Sequence, residues 1–146
     1  MILPILLYKN KILRNKNKNI KIKSNLNNII NNMFDTMYYY KGIGLSAPQI
    51  GKNINLFIIS INNKKLIFIN SKIKSYSKKK IISNEGCLSI PNIYVNIKRK
   101  KLINVEYYDN KWKKHKKIFN NYLSIIFQHE YDHIRGKLII DYLKKN

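Results

Sequence analysis

Two of the three histidines in this chain, His129 and His133, stand four residues apart, with Glu130 directly after the first. Side chains at i and i+4 share a face only when the backbone is helical. The spacing therefore asks for a helix that presents both imidazoles to one point. The neighbours agree: Leu123, Ile126, Phe127, Glu130 and Ile134 recur at intervals of three and four, which predicts a helix from Asn121 to about Ile134. Asn120 or Asn121 offers an N-cap, and Gly136 a stop. On such a helix one metal ion can take both rings, and Glu130 can reach a water beside it. The competing reading is an exposed helix whose histidines are spaced by chance.

The remaining segments read as one helix followed by strands. Leu26, Ile29, Ile30, Met33 and Met37 fall on one face, predicting an amphipathic helix from a Ser24 cap to about Tyr40. Ile54 to Ile61 and Lys65 to Asn70 are apolar, β-branched runs joined by Asn62, Asn63 and Lys64, a hairpin pattern. Lys72 to Ile82 is a weaker strand candidate of mixed polarity. Leu102 to Tyr108 predicts a strand with Ile103, Val105 and Tyr107 on one face, and Asp109-Asn110-Lys111 turns it into a partner ending near Phe119. No repeat or linker divides the sequence, so the expectation is a single domain over residues 1–146, of α+β class, with the last helix packed into the sheets.

In a chain rich in Lys, Asn and Ile, the rarer residue types act as markers. All five glycines fall in three short stretches, at Gly42, Gly44 and Gly51, at Gly86, and at Gly136. The lone cysteine, Cys87, sits in the second. A catalytic metal held by His129 and His133 needs a third protein ligand and an open position. No histidine follows His133 and the only later acid is Asp141, so the ligand comes from upstream. His115 lies among Lys113, Lys114, Lys116 and Lys117, where a cation is repelled, and it reads as a solvated strand residue. Cys87 is the better candidate, because a thiolate binds zinc or ferrous iron strongly and Gly86 beside it permits close backbone approach. An inert buried cysteine and a Cys–His nucleophile are the rivals, and the nucleophile leaves one helically spaced histidine surplus. The loop Gly42-Ile43-Gly44-Leu45-Ser46-Ala47-Pro48-Gln49-Ile50-Gly51 lacks the preceding strand and the spacing of a phosphate-binding turn. It makes more sense as a loop that brings the Gln49 amide to a site, where it donates to an oxyanion without adding charge.

The formal net charge of +22 comes almost wholly from lysine, since Arg14, Arg99 and Arg135 are the only arginines. Lys, Asn and Ile share A/T-rich codons, and the lysines are scattered without a helix-turn-helix, RNP or zinc-finger signature. The charge is therefore read as compositional bias, with no sequence-specific nucleic acid as partner. No apolar run approaches the roughly 20 residues that span a bilayer. A single cysteine forms no intrachain disulfide, which suits a reducing compartment. A cytoplasmic, bacterial-type protein is expected. The basic, acid-poor segment Lys9 to Lys23 faintly resembles an organelle-targeting segment but has only Arg14 and Ser24 as typical signs, and it is read as part of the domain, which leaves an organelle open.

Taken together and in order, Gly42-Ile43-Gly44-Leu45-Ser46-Ala47-Pro48-Gln49, Glu85-Gly86-Cys87-Leu88-Ser89 and Gln128-His129-Glu130-Tyr131-Asp132-His133 resemble the motifs of peptide deformylases, and the resemblance extends from about Ile2 to Leu143. It implies an α+β fold with mixed or antiparallel sheets wrapped around the histidine-bearing helix. It also implies a metal-dependent hydrolase that removes the N-formyl group from the initiator methionine of nascent polypeptides. By the same resemblance Cys87, His129 and His133 are the metal ligands, Glu130 is the general acid/base, and Gln49 with the Leu88 N–H holds the oxyanion. Ile43, Gly44, Ile125 and Ile126 match positions at the methionine pocket, and Glu85 pairs with Arg99 near the substrate. Fe2+ is the implied native ion, with Zn2+ or Ni2+ as replacements. Tyr94 stands where some relatives carry an arginine that touches the substrate backbone. The C-terminal helix with which many bacterial members contact the ribosome is expected to be absent, with the basic charge as a substitute at the ribosome surface. A zinc endopeptidase, and a basic ribosome- or RNA-associated protein with a structural metal, are the competing functions.

Overall fold

The computed structural model describes residues 1–144. Two α-helices, α1 (Asn27–Tyr39) and α2 (Asn121–Ile134), accompany seven strands: β1 (Gly44–Ser46), β2 (Leu56–Ile61), β3 (Lys64–Tyr76), β4 (Lys80–Cys87), β5 (Ile90–Lys100), β6 (Leu102–Tyr108) and β7 (Lys114–Asn120). Five strands form an antiparallel sheet in the order β1-β2-β3-β6-β7, and β4 pairs with β5 in a separate hairpin. The architecture is α+β, and α2 touches β1, β2, β5, β6 and β7.

Strand β2 explains why its sequence is almost continuously apolar. Leu56 and Ile58 pack with Ile30, Met33, Phe34 and Met37 of α1. The alternate residues Phe57 and Ile59 face α2, packing with Ile126, Phe127 and Ile134. A strand buried on both faces shows no polar alternation. Phe57, Phe68 and Phe127 meet with ring centroids 4.9 to 5.1 Å apart, which ties α2 to the middle of the sheet. A third cluster, Leu13, Ile90, Val95, Ile97, Leu138 and Ile139, closes the β4–β5 hairpin against both ends of the chain.

The hairpin at Asn62 and Asn63 forms as expected, both residues adopting positive φ (51° and 60°) as asparagine tolerates best among non-glycine residues. Other expectations need correction. Ser24 does not cap α1: its hydroxyl donates to the Lys21 carbonyl, and the Asn25 side chain accepts from the Asn27 amide at 3.1 Å. The segment Lys72 to Ile82 is not one strand. It divides at residues 77–79, where the chain passes from β3 to β4. Strand β5 has no clear strand signal in the sequence, because its buried period-two face runs Val95, Ile97, Arg99 and a buried arginine breaks the apolar pattern. His115 is not simply solvated: it lies 2.8 Å from Asp109 and its ring stacks on Tyr107. Among the described residues no helix is long and apolar enough to cross a membrane.

Candidate active site

Helix α2 projects His129 and His133 from one face, and the end of β4 brings Cys87 to meet them. One ligand atom from each, Sγ and two ring nitrogens, lie within 4.8 Å of one another. Cys87 Sγ stands 3.4 Å from His133 Nε2. The two rings are 5.2 Å apart between centroids. His115, on the far sheet, takes no part.

The hydrogen bonds around the cluster decide which nitrogen faces it. Glu85 Oε1 lies 2.9 Å from His129 Nδ1, and an ionised carboxylate only accepts, so Nδ1 carries a proton and Nε2 is the nitrogen left for a metal. This is the carboxylate–histidine support that orients metal-binding imidazoles. Arg99 holds Glu85 in turn, donating from Nε to Oε2 at 2.8 Å and from Nη2 to Oε1 at 2.7 Å, and reaches Asp132 Oδ2 at 2.7 Å. Burial pushes the Glu85 carboxyl up, but the hydrogen bonds and charges of Arg99 and His129 bring it down to about 2. His133 is held well below the usual histidine range by burial and by the nearby charges of His129 and Arg99. A neutral ring is what a metal requires.

Glu130 lies beside the cluster, 3% exposed. Burial, with the Glu85 and Asp132 carboxylates adding, raises its pKa to about 7 against the pull of His129 and Arg99. That value suits a group that both takes and returns a proton near neutrality. Among the described residues Glu130 Oε1 and His133 Nδ1 are buried without a protein partner. Buried polar atoms are rarely left so, and the Glu130 oxygen points to a further ligand at this site, whereas His133 turns Nε2 and not Nδ1 toward Cys87. Gly44 explains how the carboxylate fits, since a Cβ there would stand 2.6 Å from Glu130 Oε2.

Gln49 is fixed from both ends of its amide. Its Oε1 accepts from the Ser46 backbone N–H at 2.9 Å and from the Ser46 hydroxyl at 3.0 Å. Its Nε2 donates to Ser89 Oγ at 3.1 Å and lies 3.6 Å from Cys87 Sγ. Sequence reasoning gave Ser46 and Ser89 no role, although Ser46-x-x-Gln49 is a capping-box pattern visible in the sequence and the structure forms that box.

A cavity of about 800 Å3 opens onto these groups. Ile43, Gly44, Gln49, Glu85, Cys87, Leu88, Ile125, Ile126, His129 and Glu130 all line it. His133 and Arg99 do not. Arg99, expected near the substrate, is engaged by Glu85 and Asp132 beneath the site. Tyr40, Tyr94 and Tyr122 form part of the wall. Of these only Tyr94 stands out in the sequence, by its place in the family pattern, since exposed tyrosines carry no periodic signal.

Comparison with known proteins agrees with this geometry. The family model described as polypeptide deformylase matches residues 2–146. A peptide deformylase of Karelsulcia muelleri (strain GWSS) is 59% identical over 147 residues, covering 97% of this chain and 78% of that protein. The crystal structure of peptide deformylase from Thermotoga maritima superposes with a TM-score of 0.93 at 36% identity, covering 97% of each chain. That of a peptide deformylase from Synechococcus elongatus in complex with actinonin gives 0.91 at 34% identity, covering 95% of this chain and 77% of that one. With a metal-competent Cys-His-His cluster, a buried carboxyl beside it and a family match over nearly its whole length, the chain belongs to the polypeptide deformylase family of metal-dependent hydrolases.

Proposed function

We propose that the chain removes the formyl group from the N-terminal methionine of new polypeptides, with Cys87, His129 and His133 holding the divalent ion. The carrying observation is the meeting of one sulfur and two imidazole nitrogens within 4.8 Å, next to a buried Glu130 oxygen that lacks a protein partner. A thiolate with two imidazoles suits ferrous iron or zinc, and three protein ligands leave room for a further one. Once bound, such an ion supplies Lewis acidity, lowering the pKa of a water and polarising a carbonyl.

The residues of the chain do the rest. Glu130 takes the proton released as water adds to the formyl carbon and then delivers it to the departing amide nitrogen. Gln49 Nε2 and the Leu88 N–H donate to the formyl oxygen as negative charge grows on it. Ile43, Gly44, Ile125 and Ile126 receive the methionine side chain. Glu85 serves by fixing the His129 tautomer, and Arg99 acts through Glu85 rather than on the peptide. Ferrous iron is the native ion of this reading, with Zn2+ or Ni2+ able to replace it. The setting is a bacterial-type cytoplasm, where the excess positive charge suits the anionic surface of the ribosome.

Formate release from formyl-Met-Ala-Ser, measured on anaerobically prepared protein with its metal content determined, tests the proposal. Release with iron bound is expected, and Glu130→Ala should keep the ion and lose the release. Metal-loaded protein that liberates no formate overturns it. Cleavage of unformylated peptides would identify an endopeptidase instead.

A further inference from the structure

A second cavity, of about 500 Å3, shares no lining residue with the first. Its walls contain six basic residues, Lys80, Lys98, Arg99, Lys100, Arg135 and Lys137, whereas Lys41 is the only lysine or arginine lining the larger active-site cavity. Compositional bias alone spreads lysine over both, so the segregation needs another cause. The one acid in the second cavity, Asp132, already accepts from Arg99 and from Tyr142.

The β4–β5 register sharpens the point. Lys80 lies directly opposite Lys100, and Lys98 opposite Ile82. Like charges facing across a ladder destabilise it. The Lys101 N–H donates to the Lys79 carbonyl at 2.9 Å, so the runs Lys78-Lys79-Lys80 and Lys98-Arg99-Lys100-Lys101 meet at the rim. On the other sheet Lys74 and Lys114 both reach Glu106. Among the described residues no carboxylate comes within ion-pair distance of Lys80, Lys98 or Lys100. Lys80, Lys98 and Lys100 thus form a like-charged group with no carboxylate partner among the described residues.

The geometry points to an extended polyanion: we infer that this cavity and its lysine rim bind the phosphate backbone of single-stranded RNA without reading its sequence. Lys98 and Lys100 share one face of β5 about 7 Å apart, which suits successive phosphates better than one compact phosphate. Tyr76 stands at the rim, 57% exposed, with Lys100 Nζ 4.4 Å from its ring centroid. It offers a flat face on which a base can stack. This deepens the anionic-partner part of the proposed function, and it requires no catalytic residue.

Fluorescence anisotropy of a labelled oligouridylate dodecamer on the metal-loaded full chain tests the inference, with formate release followed in parallel. Lys80→Gln/Lys98→Gln/Lys100→Gln should weaken binding at least about tenfold and reduce the log–log salt slope by about 2, at ~0.7 per lost phosphate contact. Formate release should persist in that variant, which shows that it is folded. The charge-matched variant Lys16→Gln/Lys21→Gln/Lys113→Gln, placed elsewhere on the surface, should weaken binding by less than about threefold. Tyr76→Ala should weaken the dodecamer about fivefold or more and leave inorganic tripolyphosphate binding unchanged. Equal losses in the two triple variants, or none in the first, overturn the inference. Tripolyphosphate binding as tightly as the dodecamer overturns RNA as the ligand and assigns the cavity to small phosphorylated compounds. Loss of RNA binding with formate release intact leaves the catalytic reading standing, and the reverse outcome separates the two the other way.

Discussion

The carboxylate of Glu130 rests against the backbone of Gly44, where an added Cβ would stand 2.6 Å from Oε2 and 3.0 Å from Cδ. Glu130 is buried and cannot swing into solvent to make room. Gly44→Ala should therefore displace the proton-transferring group while leaving the core intact. A fall in kcat of about tenfold or more is expected, since a misplacement of the order of 1 Å can cost about a hundredfold, with little change in Tm. Unchanged kcat would show that the carboxylate tolerates another position.

Gln49 is held at Oε1 by Ser46 and at Nε2 by Ser89, so its amide is aimed before substrate arrives. Loss of one such preorganised donor costs about 100- to 1,000-fold in kcat. Gln49→Leu should show that loss on formyl-Met-Ala-Ser with the metal content unaltered. Near-normal turnover would remove Gln49 from the oxyanion site.

Arg99 neutralises two buried carboxylates at once, Glu85 and Asp132. Arg99→Met strands both charges, and breaking a buried pair in this way costs about 3–5 kcal/mol. Urea unfolding at neutral pH should report a loss of that order, together with weaker metal retention because His129 loses its ordered partner. A variant as stable as the parent would mean that water already screens this pair.

The same pair predicts an acid dependence. The folded pKa of Glu85, about 2, lies below its ordinary 4.5, so its contribution is present above about pH 4.5 and disappears as pH falls through about 2. The difference corresponds to about 3 kcal/mol. Stability of the parent minus that of Glu85→Gln, followed by urea unfolding from pH 6 to about pH 2, should shrink on acidification. A difference that stays constant over that range would deny the carboxylate this role.

Much of the fold was legible because local rules governed it. Ile103, Val105 and Tyr107 alternate along β6, the asparagines 62 and 63 suited positive φ, and the recurrence from Leu123 to Ile134 placed α2. The β4–β5 hairpin was illegible for the opposite reason. Its inward face carries Glu85 and Arg99, two charges that break the apolar period and whose pairing the family resemblance implied but the residue pattern did not. The pairing of His115 with Asp109 was hidden in the same way among lysines.

By itself the sequence determined which atoms could do chemistry: a helix bearing two imidazoles and a carboxyl, the lone sulfur, and a glutamine in a glycine loop. These follow from residue type and short spacing, which the backbone period converts directly into a shared face. Only the tertiary structure decided that Cys87, more than 40 residues before His133, comes 3.4 Å from it, and that Arg99 lies under the site rather than in it. It also decided that the lysines of two distant runs face one another across β4 and β5. Such meetings depend on strand register and on which face is buried, properties of the packed sheets that no local stretch of residues contains.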